Sequence, residues 1–125
     1  MVSVRHVYKA FWLLATIVFL ASGATHGQDS MSPDDWLIRA NEQLQSGDNE
    51  GAKISALKVL DIGQKRSNPD WIGGALTILC RTALADGNAD TLRKYTAELQ
   101  ALTDATGDQR WLTTVAEMNA ALGAM

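Results

Sequence analysis

Apolar residues return along this chain at helical spacing, and short polar breaks interrupt the returns. After residue 31 the pattern divides into five segments, each predicted to be a helix. The first, about Pro33 to Ser46, places Trp36, Leu37, Ala40 and Leu44 on one face. Ser32 is its expected cap, Pro33 suits the first helical position, and Asp35 completes a Ser-x-x-Asp capping box. Gly47 is expected to end it in a left-handed conformation. The second, about Asn49 to Arg66 behind Asp48, carries Ala52, Ala56, Val59, Leu60 and Gly63 in a stripe narrow enough for a neighbouring helix to come close. Lys53, Lys58 and Lys65 are expected to look outward, with Asp61 and Lys65 paired at i,i+4.

The third segment, about Pro69 to Asp86, is capped by Asn68 and is apolar around most of its circumference, which places it at the centre of a bundle or stack. Gly73-Gly74 within it sacrifices about 1 kcal/mol of helix propensity each against Ala. That cost implies either a close backbone contact or a loose first turn. The fourth, about Ala89 to Ala105, follows the break Asp86-Gly87-Asn88 and carries a seam of Leu92, Tyr95, Leu99 and Leu102. The fifth starts near Gln109 behind Asp108, carries Trp111, Leu112, Val115, Met118 and Leu122, and is expected to end at Gly123. Nothing alternates as a strand does, so the predicted fold class is all-α.

The first 31 residues follow different rules. Arg5 and Lys9 stand in an acid-free start, residues 10–21 are uncharged and mostly apolar, and Ser22-Gly23-Ala24 supplies small residues at a cleavage position. Those are the three parts of a secretory signal. The expected signal is 1–24, with an alternative cut after Gly27, and 25–31 is a polar linker. The apolar run is short of the ~20 residues that span a bilayer, so no stable membrane anchor is expected after cleavage; an uncleaved anchor is the alternative. The remaining domain, 32–125, is expected in the periplasm or outside the cell.

Charge and chemistry narrow the function. The chain holds 11 basic and 14 acidic residues, all the acids at Asp29 or beyond; without Arg5 and Lys9 the net charge is −5. An acidic domain with no basic cluster has no footprint for nucleic acid or for an anionic membrane. The histidines are His6 and His26, both in or beside the signal, so the helical region has none for base catalysis or metal binding. Cys80, the one thiol, stands in an apolar run and reads as a core residue rather than a reactive one; pairing with another chain is the alternative. Asp34-Asp35 is the one adjacent acid pair considered for acid–base work, but it lies where carboxylates complement a helix start. No phosphate loop, metal set or nucleophile motif is present, so no cofactor and no catalysis are expected.

Three entries of cap, first turn and tryptophan recur at Trp36, Trp71 and Trp111, spaced 35 and 40 apart. A period of this size holding two helices is the mark of a helical solenoid; an irregular bundle with core tryptophans is the alternative. Trp36-x3-Ala40, Gly47-Asp48 and Ala52 together resemble the tetratricopeptide repeat, best over residues 32–66, with weaker echoes at Trp71-x3-Ala75 and Trp111-x3-Val115. Arg39, Gln43, Ala56 and Gln64 depart from that pattern, and the second repeat is about five residues long for it. The resemblance implies antiparallel helix-turn-helix repeats, about two and a half of them, forming a short α-solenoid whose first helices line a groove. Counted from each tryptophan, it implies a groove holding Leu37, Asn41, Leu44 and Gln45, then Ile72, Leu76 and Leu79, then Leu112 and Asn119. The implied function is non-catalytic binding of a protein or peptide, with self-association possible. The alternatives are leucines that only pack the repeats together, and a bundle holding an apolar ligand between helices near Trp71 and Cys80.

Overall fold

The computed structural model describes residues 31–125. The expected signal, its two cut sites and nearly all of the linker lie outside the described residues. From Met31 onward the chain forms one unit of five α-helices: α1 (Pro33–Gln45), α2 (Asn49–Lys65), α3 (Pro69–Ala85), α4 (Ala89–Thr106) and α5 (Leu112–Ala124). A single 3-10 turn, Gln109–Trp111, leads into α5. The expected caps Ser32, Asp48, Asn68 and Asp108 are in place, and Asn88 adds one for α4. Ser32 Oγ accepts from the Asp35 amide, Asp48 from Gly51, Asn68 from Asp70 and Trp71, Asn88 from Thr91, and Asp108 from Arg110. Each satisfies an amide that the first turn of a helix leaves unpaired.

One turn geometry is used three times. At Ser46-Gly47-Asp48, Arg66-Ser67-Asn68 and Asp86-Gly87-Asn88, the middle residue has positive φ (87°, 51° and 70°). The residue after it donates its amide five positions back, to Gln43, Gly63 and Ala83, at 2.8, 2.9 and 3.0 Å. This is the Schellman ending of one helix fused directly to the cap of the next. A connection so short returns the chain antiparallel to itself, and α1 to α5 each pack on the next. The first helices of successive pairs also touch, α1 on α3 and α3 on α5, which makes the arrangement a short solenoid. Gly123 does not end a helix. It remains helical, and the left-handed glycine of the C-terminal region is Gly107, at φ 69°.

The positive-φ residues, at 47, 67, 87 and 107, are twenty residues apart. The structural repeat is therefore forty residues, and burial follows it. Trp36 and Leu76, Ala40 and Cys80, Ala52 and Leu92, Ala56 and Thr96, Val59 and Leu99, and Ala75 and Val115 are buried pairs in this register. Trp71 and Trp111 are equivalent; Trp36 is the counterpart of Leu76. Buried threonines cost nothing in lost pairing, because Thr82, Thr96 and Thr103 donate to carbonyls of their own helices.

The diglycine question is settled by contact. A Cβ on Gly73 would overlap the indole of Trp111, and one on Gly74 would stand 3.0 Å from Leu37 Cδ1. The α3 backbone is thus bare on the sides where Trp111 and α1 approach it. Gly73→Ala is expected to destabilise the fold by about 1 to 3 kcal/mol through overpacking. Gly74→Ala should cost less, since a leucine tip can turn aside. Thermal unfolding by circular dichroism checks the order, and equal melting of Gly73→Ala and wild type would refute it. Ser67→Gly, at the one described non-glycine residue of positive φ, should raise stability by about 1 kcal/mol in the same measurement.

Candidate functional site

Three elements surround an open groove of about 590 Å³. From α1 come Leu37, Asn41, Leu44 and Gln45, and from α3 come Gly74, Thr77, Ile78 and Arg81. Trp111 and Thr114 close the third side. Their positions follow from the packing. Leu37 is drawn in by the bare Cα of Gly74, and Trp111 by that of Gly73, so an apolar floor forms where the first helices meet. Polar groups sit above it. Asn41, Gln45 and Arg81 are exposed, while Thr77 turns its hydroxyl back to the Gly73 carbonyl at 2.9 Å.

Arg81 is the one charged side chain lining the groove. Its nearest acid is Glu117, at 3.9 Å, with both side chains about half exposed. An ion pair of that length and exposure holds little energy, so the guanidinium can exchange it for a ligand's carboxylate. The arrangement offers apolar contact, amide hydrogen bonding and one cation. Among the described residues no group of three His, Cys, Asp or Glu side chains is placed to hold a metal ion.

The structure divides the residues expected from the tryptophan count. Leu37, Asn41, Leu44 and Gln45 share the groove. Ile72 and Leu76 instead line a separate opening of about 360 Å³ with Leu60, Gln64, Glu98, Ala101 and Leu102, on the opposite face of α3. Leu79 is completely buried. Leu112 and Asn119 are exposed on α5 and line neither opening. The reason is register. Counting 35 residues from Trp36 to Trp71, where the repeat is forty, slips the helix by five positions, or about 140° at 3.6 residues per turn. Forty residues from Leu37 and Asn41 stand Thr77 and Arg81, which do line the groove. The glycines at 47 and 87 and the tryptophans at 71 and 111 carry the true period in the sequence. Ser67, where the other three positive-φ positions hold glycine, obscures it.

The tryptophans serve the packing. Trp36 is buried, with the Lys58 ammonium 4.2 Å and the Arg39 guanidinium 5.4 Å from its ring centre. Lys58 is exposed, as expected, and its cation lies over this ring. Trp71 Nε1 donates to Asp34 Oδ1 at 3.1 Å, so one member of the acid pair ties α1 to the start of α3. Cys80 is fully buried beside Thr96, and burial pushes its thiol pKa up. A neutral thiol in a closed site is inert. Neither opening includes Cys80 or Trp71.

Arg110 anchors the entry to α5. It bridges Asp108, 2.6 Å away, and Asp70 at the start of α3. Its hydrogen bonds to Asp108 and Asp70 raise its own pKa, and the guanidinium holds the Asp108 carboxyl below the ordinary carboxylate range. No described helix is long and apolar enough to cross a membrane. Comparison with protein-family models, curated proteins and solved structures finds no match to this chain.

A lowered folded-state pKa at Asp108 means that its contribution is present above the unfolded carboxylate pKa and is lost as pH falls through that range. Asn also caps helices but carries no charge. The melting-temperature gap between wild type and Asp108→Asn is therefore expected at neutral pH and should narrow below about pH 4. A gap that stays constant from pH 7 to pH 3 would show that the charge is irrelevant.

Proposed function

We propose that this protein is an exported, non-catalytic interaction module that takes an extended peptide segment of a partner protein in the α1–α3–α5 groove. The single observation that carries the reading is the open groove with an apolar floor, amides on one wall and a weakly engaged Arg81 on the other. Such a surface matches a peptide. Backbone groups can pair with Asn41 and Gln45, an apolar side chain can rest on Leu37, Leu44 and Trp111, and a carboxylate can reach Arg81. The helical pairs support the tetratricopeptide-like reading in their stacking, although their forty-residue period is longer than the 34 of that repeat. The basic start, apolar run and small-residue exit support export, and residues 1–24 would then be absent from the working protein. The rival reading, an apolar ligand held between helices, draws less support, since the larger opening is a surface groove and Cys80 is packed against Thr96.

The test is affinity capture from a periplasmic extract with the wild type and with Arg81→Glu and Asn41→Asp variants. Both positions are exposed, so unchanged circular dichroism is expected. A protein recovered with wild type and reduced at least about tenfold with Arg81→Glu, a loss of about 1.4 kcal/mol, would support the groove. Recovery unaffected by either variant would move the binding surface elsewhere, and no recovery in any lane would sink the adaptor reading.

A further inference from the structure

The forty-residue register carries the groove stripe onto α5. Leu37 and Thr77, forty residues apart, both line the groove, and the same position on α5 is Glu117. Asn41 and Arg81, one helical turn further along α1 and α3, line it too. Glu117 thus faces the groove side of α5, with its carboxylate 3.9 Å from the Arg81 guanidinium. Together they place two opposite charges side by side where α3 meets α5. Both side chains are about half exposed, so a ligand in the groove can reach either.

The pair changes what the groove selects. At 3.9 Å it is too long for a hydrogen bond, so both groups keep their hydrogen-bonding capacity for a ligand. To an approaching carboxylate, however, the pair is nearly neutral, because Glu117 repels what Arg81 attracts. The chain, with net charge −5 beyond its signal, adds to that repulsion. A lone ammonium meets the converse conflict at Arg81. A ligand that carries both charges side by side meets each with its opposite. Spacing narrows the pattern further. In an extended peptide, alternate side chains share a face and stand about 7 Å apart, while adjacent ones point to opposite faces. Flexible acidic and basic side chains two residues apart can converge on this pair. Leu37 and Leu44 lie on the α1 side of the groove, which places an apolar side chain two residues beyond the acid.

We infer that the groove selects an extended partner segment of the pattern apolar-x-acid-x-base, read in either chain direction. The acid sits on Arg81, the base on Glu117 and the apolar side chain on Leu37 and Leu44. This rests on the peptide-groove reading above and makes Glu117 a specificity-determining residue of it.

The test uses short peptides blocked at both ends, so that no terminal charge contributes. They are titrated into the full chain, as processed and purified from the cell, and followed by NMR through the Trp111 indole. Leu-Ser-Asp-Ser-Lys or its reverse is expected to bind at least about fivefold more tightly than the versions with Ser in place of Asp or of Lys. The double variant Arg81→Glu, Glu117→Arg, changed at two exposed positions, should keep the circular dichroism spectrum and prefer Leu-Ser-Lys-Ser-Asp or its reverse. An acid-only peptide that binds as tightly as the paired one overturns the inference and leaves the groove a simple carboxylate site. A double variant whose preference does not reverse also overturns it. A Trp111 resonance that no peptide moves overturns the inference and the groove reading together.

Discussion

The fold depends on how closely two elements, α1 and the 3-10 turn before α5, approach the backbone of α3 at Gly73 and Gly74. Without side chains there, the Trp111 indole lies against one Cα and Leu37 against the next. The two contacts join the first, third and fifth helices. They also shape the groove floor, because Leu37 and Trp111 both line it. Glycine weakens a helix interior through lost propensity and greater backbone entropy. Here that local cost is offset by tertiary contact along a helix whose other faces bury Ala75, Leu76, Ile78 and Leu79. Stability and site geometry therefore rest on the same two residues.

Around this centre the chain uses a modular connection. A left-handed residue followed at once by a capping Asp or Asn ends one helix and begins the next within three residues. Repetition of that unit at twenty-residue intervals fixes both helix length and rotation, since one residue more or less would turn the following face by about 100°. Side-chain ties between units are few and polar. Trp71 reaches Asp34, Ser55 donates to Gln43 at 2.7 Å, and Arg110 links Asp70 to Asp108. They orient neighbouring helices, while apolar burial supplies most of the driving force. Among the described residues no buried side-chain polar atom lacks a partner.

Charge is divided unevenly over the surface. Most ionised groups among the described residues sit on outer faces, where they contribute little energy pairwise. Two places differ. The groove has a lone cation, Arg81, whose acidic neighbour holds it weakly. The outer face of α5, at Ala116, Asn119 and Ala120, has no charge at all.

The five helices, their caps and their order were legible in the sequence because each signal is local. Ser32, Asp48, Asn68 and Asp108 mark helix starts by hydrogen-bonding within three residues, and Gly47 and Gly87 mark ends by tolerating positive φ. The α1 wall of the groove was legible too, since Leu37, Asn41, Leu44 and Gln45 lie on one turn-to-turn stripe. The α3 and α5 walls were not. Trp36 and Trp71 look alike in sequence but occupy different places in the repeat, and a five-residue slip turns Ile72, Leu76 and Leu79 away from the groove. Local pattern says that a helix has an apolar face. Which face meets which neighbour was decided by the tertiary contacts of Gly73 with Trp111 and Gly74 with Leu37, because rotation about a helix axis is set by what packs against it.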